Sequence, residues 1–153
     1  MKSRVQDAVA TFESGYNCAQ SVFVTYADLF GIDRETALKL SCPMGGGVGR
    51  MRELCGTVSS MSMIGGLKTG NTDPNNQDAK TANYELTRAM ADRFKEENGS
   101  MICRELLGLL EREASAAPSE RTPEYYASRP CSKLVASAAR IIEDTLFADE
   151  IED

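Results

Sequence analysis

Apolar residues recur at spacings of three and four along most of this chain, and nowhere do they alternate with polar ones in the manner of a half-buried strand. The pattern predicts an all-α fold: a compact helical bundle of about five to seven helices in a single domain, residues 1–153. The mixed segment Lys2 to Phe12 reads as a first helix that Gly15 ends. Asn17 is a good N-cap, and Cys18, Val22, Thr25 and Leu29 follow it at helical spacing as far as Gly31. Asp33 opens the next helix, which Pro43 stops near Cys42.

The stretch Pro43 to Gly49 is too rich in glycine for a regular helix. A new helix is expected near Arg50, with Met51, Leu54, Cys55, Val58, Met61 and Ile64 along one face. Its small residues, among them Gly56, Ser60 and Gly65, would let a neighbouring backbone approach closely. Gly70 to Asn76 is a loop by composition. Gln77 to Glu97 then carries Ala82, Leu86, Met90 and Phe94 as one long helix, ended by Asn98-Gly99. Ser100 is read as the cap of a short helix through Met101, Cys103, Leu106, Leu107 and Leu110, and Glu111 to Arg129 as a loop or linker. Pro130 suits a first helical position, and Leu134, Ala138 and Ile141 share a face of the last helix. Glu143-Asp144 and Asp149 to Asp153 read as a solvated acidic end.

Composition narrows the classes of function. With 42% hydrophobic residues the chain can bury one ordinary core. A formal charge of −6, from 23 acidic against 17 basic residues with no dense basic run, argues against nucleic acid as a partner. No stretch approaches the roughly 20 apolar residues of a membrane span, and the N-terminal residues interrupt every apolar run with charge, so membrane insertion is not expected and a cytoplasmic location is. Oligomeric state is not legible, and a homodimer is compatible with all of this. Histidine is absent, which excludes Ser-His-Asp and Cys-His mechanisms and zinc sites that mix cysteine with histidine.

Chemistry is left to thiols, carboxylates, lysine, tyrosine or a bound cofactor, and the five cysteines stand out. Cys18 follows its cap directly, Cys103 lies three residues after Ser100, Cys131 follows Pro130, and Cys55 sits one turn into a helix whose start carries Arg50 and Arg52. Helix starts present unpaired N–H groups and about half a positive charge, so they favour a thiolate over a thiol. Cys42 ends a helix, where the dipole opposes the thiolate. Packing is the competing reading, since free cysteine is among the most buried residue types.

Four runs in a fixed order carry a resemblance that covers about residues 10 to 147: Tyr16-Asn17-Cys18-Ala19-Gln20-Ser21-Val22; Gly45 to Arg50 leading to Glu53-Leu54-Cys55-Gly56; Cys103-Arg104-Glu105-Leu106-Leu107-Gly108; and Cys131 before Lys133-Leu134-Val135. Together they resemble the C_GCAxxG_C_C family. After Cys55 the chain departs from that family's motif but keeps small residues at Gly56, Thr57 and Ser60. The resemblance implies a redox role with Cys18, Cys55, Cys103 and Cys131 as the signature cysteines and Cys42 outside the set.

Two modes of redox chemistry stay open from the residues. Four thiolates without histidine suit an iron–sulfur cluster or another thiolate-bound metal, whereas two of them would suffice for a dithiol/disulfide couple with a redox partner and no cofactor. Either mode requires the participating sulfurs to share a small volume, and at least three of the four are expected within about 8 Å of one another. The glycine run offers a separate binding element: Gly46, Gly47 and Gly49 with Arg50 could cradle an anion, although the run matches neither the dinucleotide fingerprint nor a P-loop. The rival class of function is thus a non-catalytic helical binding module with structural cysteines and an anion-binding glycine turn.

Overall fold

The structure is a computed structural model and describes residues 1–109 and 115–152. Its α-helices are α1 (Val5–Glu13), α2 (Cys18–Ala27), α3 (Arg34–Ser41), α4 (Gly56–Thr69), α5 (Gln77–Asn98), α6 (Cys103–Leu106), α7 (Pro123–Ser128) and α8 (Cys131–Leu146). Single 3-10 turns follow α2 and α3, at Asp28–Phe30 and Cys42–Met44. Among the described residues there is no strand, only one antiparallel bridge between Leu54 and Ile102, so the all-α bundle holds. None of these helices is long and apolar enough to cross a membrane.

Helix α2 is the hub. It packs against α4, α3, α1 and α8, and all of its residues from Ser21 to Ala27 are buried. The small residues of α4 permit a close crossing: Ser60 Oγ donates to the Ala19 carbonyl at 2.6 Å, and a methyl added at Gly56 would meet Ala19 Cβ and Cys18 Sγ, each at 2.9 Å. Val22, Tyr26, Met61, Ile64, Met90, Phe94, Val135, Ile141 and Ile142 fill the interior. Burying each such side chain contributes about 1.5–3 kcal/mol.

Four sequence expectations are corrected. Glu143 is not part of a solvated end: it is buried and accepts from Ser3 Oγ at 2.8 Å, Arg4 N–H at 2.6 Å and Tyr26 Oη at 2.8 Å, tying α1 and α2 to α8. The segment read as a loop before Pro130 contains α7, because Thr122 Oγ1 accepts the Tyr125 N–H at 3.1 Å and Pro123 occupies the first turn. Ser100 does not cap α6 directly. Its hydroxyl accepts the Ile102 N–H at 3.0 Å, and the helix starts at Cys103. Leu110, Glu111 to Ala114 and Asp153, which the sequence reading placed in a helix, a linker and an acidic end, lie outside the described residues.

The fourth correction bears on function. No helix begins at Arg50. Gly46, Gly47, Val48, Gly49 and Arg50 all have φ between 54° and 69°, and Arg52 has 61°, so the chain winds left-handed and α4 starts only at Gly56. Left-handed backbone costs non-glycine residues roughly 1–2 kcal/mol each, which weighs most on β-branched Val48. Backbone hydrogen bonds hold it there: Gly49 N–H to Pro43 O at 2.8 Å, Arg52 N–H to Gly46 O at 3.0 Å and Glu53 N–H to Gly47 O at 2.9 Å.

Candidate thiol site

The left-handed turn releases the chain at Glu53 in an extended direction, and this brings two cysteines together. Cys55 N–H donates to Met101 O at 2.9 Å, Cys103 N–H to Glu53 O at 2.6 Å and Arg104 N–H to Arg52 O at 3.1 Å, so residues 52–55 lie antiparallel to residues 101–104. Each segment of this short pairing then turns into a helix, α4 behind Cys55 and α6 at Cys103. Cys55 is therefore the N-cap of α4 rather than a residue one turn inside it, while Cys18, Cys103 and Cys131 are the first residues of α2, α6 and α8.

All four helix starts face one place. Cys18, Cys55, Cys103 and Cys131 line a single cavity of about 50 Å³ together with Gly46 and Arg52. Cys55 and Cys103 are buried, Cys18 and Cys131 half-buried. Cys42 is exposed and does not line the cavity.

Within the cavity the sulfurs are not equivalent. Cys18 Sγ lies beside Gly56, the residue after Cys55, and its titration is shifted chiefly by the Cys55 thiol as a donor and then by the N–H groups of Gly46, Ala19 and Gly56. Against the opposing effect of burial, these donors pull the Cys18 thiol down to about 7. The same interaction, with burial, pushes Cys55 well above the ordinary thiol range, although the Thr57 hydroxyl lies 3.1 Å from its sulfur. Burial raises Cys103, partly offset by Arg52, whose Nη1 donates to the Cys103 sulfur at 3.6 Å. Burial first, and then the negative charge of Cys18, pushes Cys131 up to about 12. Cys18 is thus the one thiol of the four that is lowered, and Cys55, Cys103 and Cys131 are raised.

The glycines divide by position. Gly46 lines the cavity and supplies a donor to Cys18. Gly47 is buried, and a methyl there would stand 2.7 Å from Cys103 Cβ and 2.6 Å from Glu53 N, so a side chain at this point would push the two cysteine-bearing segments apart. Gly49 and Arg50 lie further out, beside a second and larger cavity. Asn17 links these parts: its side chain caps α2 by accepting the Gln20 N–H at 2.9 Å, donates to Cys42 O at 3.1 Å and packs over Gly45.

The donor set is chemically suitable for a metal or cluster, but among the described residues no three cysteine or carboxylate side chains are grouped so that they could hold a metal ion. Residues that the sequence reading passed over as site members are Arg121, Tyr125 and Arg129, all of which line the cysteine cavity. The signal for all three was present in Thr122-Pro123, a cap followed by a first-turn proline, which marks a helix where a linker was expected.

The sequence model of one family, described as "Putative redox-active protein (C_GCAxxG_C_C)", matches residues 16–145. No curated protein and no solved structure matches the chain.

Proposed function

The chain belongs to the C_GCAxxG_C_C family, and from that premise we propose that it is a thiol–disulfide redox protein whose exchanging pair is Cys18 and Cys55. The observation that carries the reading is that Cys18 and Cys55 line one cavity with the other two signature cysteines, where each shifts the other's titration in the opposite sense.

In the forward direction the Cys18 thiolate attacks one sulfur of a substrate disulfide, and the other substrate sulfur leaves as a thiolate. Cys55 then attacks the Cys18 sulfur of the mixed disulfide, and the second substrate sulfur departs. The balance is Cys18–S⁻ + Cys55–SH + RSSR′ → Cys18–S–S–Cys55 + RS⁻ + R′SH, in which the Cys55 proton goes to one of the leaving thiolates. Two electrons pass from the pair to the substrate. The asymmetry of the pair suits this order, since a thiol near 7 is about half ionised at neutral pH, close to the optimum for an attacking sulfur. Cys55, protonated while Cys18 is charged, loses that opposing charge once Cys18 is in a mixed disulfide, which frees it to ionise when it is needed.

The test is to equilibrate the reduced chain in thiol/disulfide buffers of graded potential and to map cross-links by mass spectrometry. A reversible Cys18–Cys55 disulfide is expected, lost in Cys18→Ser and Cys55→Ser and retained in Cys42→Ser. Stoichiometric iron on anaerobically purified chain, released by Cys18→Ser, would overturn the reading in favour of a metal centre. Failure of any reversible disulfide to form at Cys55 would overturn it in favour of structural cysteines.

A further inference from the structure

Beside the cysteine cavity lies a wider one of about 220 Å³, and Asn17, Gly46, Arg52, Arg121, Tyr125 and Arg129 line both, so the two are continuous. Arg50 joins the outer rim. Among the described residues neither lining contains an aspartate or glutamate, in a chain whose formal charge is −6. Among the described residues, Arg50, Arg121 and Arg129 bring positive charge to the wider cavity with no lining carboxylate against it.

The way these arginines are held is equally informative. Arg121 lies 4.5 Å from the Tyr125 ring centroid and 5.1 Å from that of Phe12, and Arg129 lies 4.9 Å from the Tyr125 centroid. Arg50 donates to Ala117 O and, at 3.0 Å, to Ser119 Oγ. Ring faces, a carbonyl and a hydroxyl orient a guanidinium without neutralising it. Among the described residues Arg50, Arg121 and Arg129 have no carboxylate partner, and the buried atoms Arg50 Nε and Arg121 Nη1 find no hydrogen-bond acceptor. Buried donors left unsatisfied are costly, and an oxyanion in the vestibule would satisfy them.

We propose that the vestibule between Arg50, Arg121 and Arg129 binds the carboxylate of a small disulfide substrate and so places the adjacent sulfur at Cys18. This inference rests on the thiol–disulfide reading and adds the class of substrate to it. The volume lies below the 300–1,000 Å³ typical of drug-sized ligands, which suits a carboxylate on a short aliphatic arm. Arginine matches the flat, bidentate geometry of such a group.

The experiment compares the rate at which the reduced full chain is oxidised by 3,3′-dithiodipropionate, by bis(2-hydroxyethyl) disulfide and by cystamine, which are anionic, neutral and cationic. Each rate is divided by that reagent's rate with 2-mercaptoethanol, which removes intrinsic reactivity. The inference expects the anionic reagent to exceed the neutral one by about tenfold or more and the cationic one to be slowest, with the preference fading in about 1 M KCl. Arg121→Gln and Arg50→Gln should each pull the anionic-to-neutral ratio toward one, and Arg50→Lys should keep part of it; the ratio is read within one variant, so partial loss of folded protein cancels. Without a built anion site, the net charge of the chain and the Cys18 thiolate would repel the anionic reagent, and the order would reverse. Equal or reversed normalised rates, with the Cys18–Cys55 disulfide still forming, would overturn the carboxylate inference alone. Absence of that disulfide with all three reagents would overturn the redox reading and the inference with it.

Discussion

Replacing Cys55 with Ala tests whether the Cys55 thiol is what activates Cys18. The Cys55 S–H is the largest influence lowering the Cys18 thiol to about 7; burial works against it, and the N–H groups of Gly46, Ala19 and Gly56 would remain in the variant. Loss of the S–H donor should therefore move Cys18 up, toward or past the free-thiol value of about 8.5. At pH 7 the thiolate fraction would fall from about one half to about 3%, roughly a fifteenfold loss, if the free value were reached. A more basic thiolate is also more nucleophilic, by about fivefold over that interval for a Brønsted slope of 0.4–0.5, so the net slowing at pH 7 is only about threefold. The pH midpoint is accordingly the better readout than a single rate. Iodoacetamide alkylation of Cys18, followed by peptide mass spectrometry from pH 5 to 10, should give a midpoint near 7 in the parent chain, a clearly higher one in Cys55→Ala and an intermediate one in Cys55→Ser, whose hydroxyl can still donate. An unchanged midpoint in Cys55→Ala would refute the argument that Cys55 activates its neighbour.

Gly47→Ala should destabilise the chain by several kcal/mol, because the new methyl meets Cys103 Cβ at 2.7 Å and Glu53 N at 2.6 Å at a φ of 69°, whereas Gly49→Ala, with φ 54° and open space around it, should cost only about 1–2 kcal/mol; urea melts of both variants check the difference. Cys42→Ser should leave stability within about 0.5 kcal/mol, since the side chain is exposed and outside the cavity. Stability should decline as pH rises above the free-thiol value of about 8.5, because folded Cys131 keeps its proton up to about 12 while the unfolded chain releases it, and this part of the decline should be absent from Cys131→Ala in melts at pH 8 and pH 10. Cys18 contributes the opposite slope at lower pH: its stabilisation is complete above about 8.5 and is lost as pH falls through about 7, so Cys18→Ala should flatten the curve between those values.

Local chemistry was sufficient for much of this architecture. Asn17 with Gln20, Asp33 with Thr36 and Gly99 after Asn98 mark helix ends by hydrogen bonds and backbone conformations that involve only neighbours in sequence, so those boundaries could be read directly. The periodic faces of α4, α5 and α8 were legible for the same reason, and Pro130 before Cys131 placed one thiol at a helix start without any tertiary knowledge. Glu143 was not legible. A carboxylate near the end of an acidic segment is normally solvated, and only the arrival of Ser3, Arg4 and Tyr26 from the other end of the chain supplies donors that permit its burial.

The centre of the site depended on tertiary structure most of all. Three non-glycine residues, Val48, Arg50 and Arg52, adopt a backbone conformation that their own side chains disfavour, so no propensity could have indicated it. The conformation persists because the pairing of residues 52–55 with 101–104 and the burial of Gly47 against Cys103 hold both ends of the turn. The same contacts set Cys55 beside Cys18 rather than a turn away and make one thiol acidic and its neighbour basic. The cysteines, their order and their place at helix starts were written in the sequence, because a helix start is a local event. Which thiol is lowered, and which arginines line the cavity beside it, follows from distances between segments far apart in the chain, and those distances exist only once the chain has folded.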